Sequence, residues 1–209
     1  MSRLLYIESS PRKSRSASIE VSKVFLKDYE KAHPKDRIDT IDLWHKELPP
    51  FDGEIIESKY TIMHGQSPSE EQKKSWKAVE GIIEEFKAAD KYVISLPMWN
   101  FGIPYKLKHY IDLLVQPGYT FSYTPTEGYK GLVLNKPVLL ICARGGAYGA
   151  GSGGEALDLQ KGYMETILKF IGFTNIQAIL IEPTLTSPEN KTAVMQKAKA
   201  EATQLAARF

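Results

Sequence analysis

One cysteine, Cys142, occurs among 209 residues. A single thiol excludes an internal disulfide framework and any cysteine-rich metal site. No apolar run approaches about 18 residues, the length that a membrane-spanning helix needs. Lys and Arg outnumber Asp and Glu by only two, 27 against 25, too little for the basic surface of a nucleic-acid binder. The four histidines, His33, His45, His64 and His109, are scattered. Each reads as a solvated or packed side chain rather than as part of an acid–base set, and no metal site is expected. Internal repeats, low-complexity tracts and interdomain linkers are absent. The first residues, MSRLLYIESSPRKSRSAS, contain no long apolar segment and no cleavage site. No signal peptide is therefore expected, and a cytoplasmic, reducing location is the default.

What is present is globular. Hydrophobic residues make up 43% and charged residues 25%, enough apolar surface to offset chain entropy on folding. At roughly 150 residues per domain, residues 1–209 read as one domain. Short apolar runs predict strands at Leu4–Ile7, Tyr92–Leu96, Val138–Cys142 and Ile176–Ile181, and alternation predicts another over Arg37–Leu43. Between them lie helical patterns: from about Ser18 to His33, from a Ser69 cap with Gln72 as its reciprocal partner, from Pro104, over about Glu155–Ile171, and from Pro188. Five strands alternating with five helices predict an α/β fold, a doubly wound five-stranded parallel sheet with helices on both faces. Residues 44–66 and 117–135 read as irregular insertions, the second with a small hairpin around Thr120–Thr124. Segments of that length in a compact domain are often functional.

In such a sheet, ligands bind beyond the carboxyl ends of the strands. Three loops there are unusual. Ser9–Ser18 carries five serines and three bases in ten positions. At a helix N-terminus, with unpaired N–H groups and a partial positive charge, such a loop suits a phosphate dianion. It contains no glycine, so it is neither a P-loop nor a dinucleotide fingerprint. On its own it also reads as a polar turn with Ser16 or Ser18 as a helix cap. Pro97–Pro104 sets Met98, Trp99 and Phe101 between prolines beside the Asn100 amide. It suits the wall of a planar-ring pocket, or else a hydrophobic turn tucked under the insertions. Ala143–Gly154 is the most glycine-dense stretch. Arg144, Gly145 and Gly146 offer backbone donors and Tyr148 a hydroxyl, unless the loop is plain flexible surface. Gly149, Gly151 and Gly154 match GxGxxG. That match is rejected as a dinucleotide site, because it follows the fourth strand and Ile171–Ile181 holds no acidic residue.

Taken together, Ser-Ser-Pro-Arg with Ser-x-Ser (9–18), Pro-Met-Trp-Asn-Phe-x-Ile-Pro (97–104) and Ala-Arg-Gly-Gly-x-Tyr (143–148) resemble the FMN-dependent NAD(P)H azoreductase and quinone reductase family. The likeness runs through essentially the whole chain. It implies a flavodoxin-like fold, FMN as cofactor and NADH or NADPH as co-substrate. It assigns Ser10, Ser16, Ala17 and Ser18 to the FMN phosphate and ribityl chain, and Met98, Trp99, Asn100 and Phe101 to the isoalloxazine ring. Ala143, Arg144, Gly145 and Gly146 fall beside the pyrimidine end. Tyr148 and Asn100 are the candidate catalytic residues, and Phe121 and Phe170 the candidate substrate boundary, with core packing as the other reading of Phe170. Two departures stand out. The family often has Ser where this chain has Ala143, and some members carry His where it has Tyr148. The resemblance implies a two-step cycle: NAD(P)H reduces FMN and leaves, then a quinone or azo compound takes the same place. No nucleic acid or membrane is expected as partner.

Two rival functions are an FMN-holding electron carrier of the flavodoxin type and a serine hydrolase. Carriers are usually acidic and shorter, whereas this chain has a pI near 8.4. A hydrolase would use Ser9, Ser10 or Ser16, without a GxSxG elbow. Exposed-looking apolar residues in the insertions (Trp44, Leu48, Phe51, Tyr119, Phe121, Tyr123) point to a homodimer. Cys142 reads as a small buried hydrophobe.

Overall fold

The fold is described from a computed structural model, which covers residues 1–63, 66–67 and 69–209. His64 lies outside the described residues. Five parallel strands form the central sheet: β1 (Arg3–Glu8), β2 (Arg37–Asp42), β3 (Lys91–Pro97), β6 (Pro137–Ala143) and β7 (Asn175–Ile181). Their spatial order is β2-β1-β3-β6-β7. The three central strands bury every residue between their ends, because both faces are covered. Edge strand β2, RIDTID, buries only Ile41.

Two apolar layers sandwich the sheet. Helices α1 (Ala17–Ala32) and α6 (Pro188–Ala206) cover one face, with Phe25, Tyr29 and Met195 turned inward. Helices α3 (Glu70–Lys87), α4 (Tyr105–Leu114) and α5 (Leu159–Ile171) cover the other through Trp76, Phe86, Tyr110 and Leu168. Full burial of each such side chain stabilises the fold by about 1.5–3 kcal/mol. Ser69 and Gln72 form the capping box of α3, and Pro104 is the N-cap of α4.

Three findings differ from the sequence reading. Residues 44–66 are not wholly irregular, since α2 spans Gly53–Met63. Its start was hidden because Asp52–Gly53 looks like a turn; the Asp52 carboxylate in fact accepts from the N–H groups of Glu54 and Ile55. The expected helix over 155–171 is broken at Asp158, which caps α5 through the Lys161 N–H. Gly154 therefore opens a short 3-10 turn (Glu155–Leu157), not an α-helix, which agrees with setting the GxGxxG match aside. Finally, five of the six apolar insertion residues, Trp44, Leu48, Phe51, Tyr119 and Phe121, are only half-exposed and packed, and Tyr123 alone is exposed.

The second insertion forms the hairpin of β4 (Phe121–Thr124) and β5 (Gly128–Gly131). Its root is pinned. The Tyr119 hydroxyl meets Glu80 and Trp76, and Lys87 Nζ donates to Tyr119 O. Gly131 lies flat against Gly172, the left-handed C-cap of α5, where a Cβ on Gly131 would collide with backbone.

Candidate functional site

The chain winds outward from β1 to β2, then crosses back to lay β3 on the other side of β1. The loops after β1 and β3 diverge at this reversal and leave a crevice. A cleft of about 320 Å³ lies there. Ser10, Ser16 and Ala17 line it from the first loop, Met98 and Trp99 from the third, and Ala143, Arg144 and Gly145 from the fourth. Eight of the expected residues thus meet in one place. A further loop, after β7, closes the cleft with Thr184 and Leu185. The sequence reading missed that loop. Its position at a strand's carboxyl end was the available signal.

The first loop combines both of its readings. Ser16 is the N-cap of α1, and its hydroxyl accepts from Ile19 N–H over a long 3.5 Å. Behind it, the wholly buried Ser18 hydroxyl lies 3.1 Å from Ser16 Oγ, outside the cleft lining. The next two helix donors, Ala17 N–H and Ser18 N–H, bond to nothing among the described residues. A Ser16 side chain plus two free N–H groups is an anion site. Arg12, Arg15 and Lys191 stand at its mouth without an acidic partner among the described residues. Lys13 is different. It is spent on Glu8 (2.7 Å) and Asp42, which fixes the loop to the sheet. Burial works against the charge of both Lys13 and Asp42, yet their partners together outweigh it: Asp42 and Glu8 hold the Lys13 ammonium above its ordinary range, and Lys13, His45 and Trp44 N–H hold the Asp42 carboxyl below its own. Trp44 fixes the loop from the other side, donating Nε1–H to Ser9 O at 2.9 Å. Its ring also meets Trp99 and Tyr105 at centroid distances of 5.9 and 5.4 Å.

The third loop turns back on itself. Trp99 and Gly102 exchange both backbone hydrogen bonds (3.0 and 2.9 Å) around Asn100 and Phe101. Both central residues have positive φ, +47° and +67°. That is a hairpin-type turn ordinarily built with Asn-Gly, and a phenylalanine at its second position is strained. The turn leaves the N–H groups of Asn100 and Phe101 free among the described residues, whereas those of Met98 and Trp99 are spent on Ala143 O and Gly102 O. Phe101 is 41% exposed and reaches the fourth loop, its ring edge-on to Tyr148 at 6.2 Å. Neither Asn100 nor Phe101 lines the 320 Å³ cleft itself; they form its outer rim beside Trp99.

In the fourth loop, Arg144 departs from its expected place as a donor. Its N–H is spent on Ile181 O, and its guanidinium turns inward, wholly buried, onto Asp158, Glu182 and Gln160. The N–H groups of Gly145 and Gly146 are free among the described residues. A side chain at either position would crowd a neighbouring side chain rather than backbone. A Cβ on Gly145 would lie 2.9 Å from Leu185, and one on Gly146 would lie 3.1 Å from the Tyr148 hydroxyl. Gly146 and Tyr148 sit beyond the cleft lining, next to Gly145.

Phe121 and Phe170 do not line the cleft. They pack on each other, 4.8 Å between centroids, in an aromatic cluster with Tyr123 and Tyr129 on the hairpin. The three described histidines make structural contacts. His109 bonds Pro49 O, His45 bonds Asp42, and His33 lies against the Tyr29 ring. Burial pushes the Cys142 thiol up to about 12. Among the described residues no cluster of metal-ligating side chains occurs, and no helix is long and apolar enough to cross a membrane.

Comparison with known proteins agrees with this geometry. A family described by its flavodoxin-like fold matches residues 2–206. An FMN-dependent NADH:quinone oxidoreductase of Desulfotalea psychrophila is 50% identical over 206 residues, covering 99% of this chain and 97% of that protein. Another protein of that name, from Nitratidesulfovibrio vulgaris, is 45% identical over the full length of both. Among solved structures, an FMN-dependent NADH-azoreductase of Bacillus anthracis in complex with FMN superposes with a TM-score of 0.90 at 31% identity, covering 100% of this chain and 99% of that one. The chain belongs to the flavodoxin-like family.

Proposed function

We propose that the protein is an FMN-dependent oxidoreductase that takes hydride from NADH and delivers it to quinones and azo compounds. The observation that carries this reading is the pairing of two free N–H groups on each of three loops around one cleft. Ala17 and Ser18 N–H, with Ser10 and Ser16, fit a phosphate monoester. Arg12, Arg15 and Lys191 supply the matching charge. Asn100 and Phe101 on one side, and Gly145 and Gly146 on the other, fit the polar edges of a planar heterocycle laid against Met98 and Trp99. When bound, FMN supplies the hydride chemistry. The chain's own part is to orient the ring and to place N–H donors where negative charge grows on reduction. Tyr148 and Asn100 stand nearest to those donors as the candidate catalytic side chains. NADH is assigned as donor because both sequence relatives bear its name.

One face of the cleft is open, which fits a donor and an acceptor that use the same place in turn. We assign closure of that face to a second copy of the chain. Exposed Tyr105 (62%) and Leu159 (57%) line, with Phe51, Ile103 and Tyr163, a mainly apolar groove of about 750 Å³ edged by Lys108, His109 and Asp112. Surfaces of this kind mark interfaces. In a homodimer, the Phe121–Phe170 cluster of the partner would bound the acceptor site. The hydrolase alternative finds no support: the Ser9 hydroxyl bonds Ser95 O, that of Ser10 accepts from Arg12 N–H and that of Ser16 meets Ser18, and no histidine is a partner of any of them among the described residues.

The test is the visible spectrum of the purified protein, before and after NADH without oxygen. Bound flavin that bleaches on addition supports the assignment. Protein that binds no added FMN overturns it, and slow NADH oxidation by a flavin-loaded protein points to a carrier. Light scattering at micromolar concentration tests the dimer; a fully active monomer overturns it.

A further inference from the structure

We infer that Glu182, one residue beyond β7, is a positioning residue for the flavin, acting through the backbone of Tyr148. This rests on the FMN reading above. The inference begins with a buried arginine. The Arg144 side chain is 0% exposed and meets two carboxylates, Asp158 at 2.8 Å and Glu182 at 3.2 Å, with Gln160 Oε1 accepting from Nε at 3.0 Å. Such a cluster costs more desolvation than an apolar plug of the same volume. It is not needed to hold Arg144 itself, whose N–H bonds Ile181 O and whose carbonyl accepts from Thr184 N–H and Oγ1.

The two acids differ in what else they do. Asp158 caps α5, a structural task. Glu182 Oε2 accepts a second hydrogen bond, from Tyr148 N–H at 2.9 Å. Between Gly145 and Gly149 this is the one bond from a side chain to the loop backbone among the described residues. The loop wraps tightly around that carboxylate: a Cβ on Gly149 would lie 2.6 Å from Glu182 Oε1. With its backbone held, Tyr148 folds its hydroxyl back over Gly146 and sets its ring edge-on to Phe101. Glu182 thereby fixes the free Gly146 N–H group and the Tyr148 hydroxyl as one unit, beside Gly145, whose carbonyl accepts from Thr184 and Leu185 N–H. Gln160 extends the brace by donating to Leu96 O, one residue before the third loop.

Two conservative variants separate position from charge. Glu182→Gln keeps the length and an acceptor oxygen but loses the charge. Glu182→Asp keeps the charge but withdraws it by one methylene. Dissociation constants for FMN are read from quenching of flavin fluorescence, together with the visible band of the bound flavin. Glu182→Asp is expected to weaken FMN by about 10-fold, the scale of one lost hydrogen bond, and to shift the band. Glu182→Gln is expected to stay within about threefold of the unaltered protein. In a Tyr148→Ala background, the loss caused by Glu182→Asp should shrink below about threefold, since contacting sites couple. Unchanged affinity in Glu182→Asp, an equal loss in Glu182→Gln, or a loss undiminished in the Tyr148→Ala background overturns the inference. An unaltered protein that binds no FMN overturns the functional reading instead.

Discussion

The two ends of the cleft are polar in opposite ways. At the α1 end, Ala17 and Ser18 keep free N–H groups, and Arg12, Arg15 and Lys191 have no acidic partner among the described residues. At the β6 end, every donor of the Arg144 guanidinium that the network uses is matched, inside the protein, by a carboxylate or an amide. One end holds its polarity in reserve for a ligand. The other spends it on shape. A basic residue near a site is therefore read by its partners rather than by its charge.

Four substitutions would break or sharpen that contrast. The largest effect is expected for Arg144→Met, which removes a wholly buried cation and strands two half-buried carboxylates. Stability should fall by about 3–5 kcal/mol, measured by chemical denaturation; a loss below about 1 kcal/mol would show that the brace is dispensable. Next comes Ser16→Asp. Asp caps a helix as well as Ser, so the melting temperature should hold, while FMN affinity drops by about 100-fold through repulsion of the phosphate. Unchanged affinity would place the phosphate elsewhere. Replacing Arg12 and Arg15 together with Ala should weaken FMN by about 10-fold in low salt and by less as salt screens the pair, with no change in stability. Should unfolding free energy fall instead, the two ends are not different in kind. The smallest effect is expected for Phe101→Gly. Relief of positive φ should raise stability by about 1 kcal/mol, while turnover falls with loss of the ring against Tyr148. Lower stability in this variant would mean that the turn is not strained.

Much of this was legible in the sequence. Apolar runs such as Val138–Cys142 gave away the strands, and the helix starts at Ser69 and Pro104 carried local capping chemistry that needs no tertiary context. The three loops stood out because serines, prolines and glycines are costly to place at strand ends without a reason. What escaped was long-range. Glu182 pairs with Arg144 from 38 positions away, and no periodicity announces that. The inward turn of Arg144 hid its role for the same reason. Asp52 and Asp158 escaped for a local one, since an aspartate beside a glycine or within a helical pattern does not declare itself a cap. Phe121 and Phe170 were read as the boundary of the substrate site; that they pack on each other away from the cleft within one chain needed coordinates.

The Trp99–Gly102 turn has a consequence in time rather than in space. It closes with its own pair of hydrogen bonds, so the strained geometry of Asn100 and Phe101 is set when the chain folds. Flavin uptake then needs no slow rearrangement of this loop. Loading should follow a single exponential whose rate rises in proportion to flavin concentration, without the plateau that a preceding conformational step imposes.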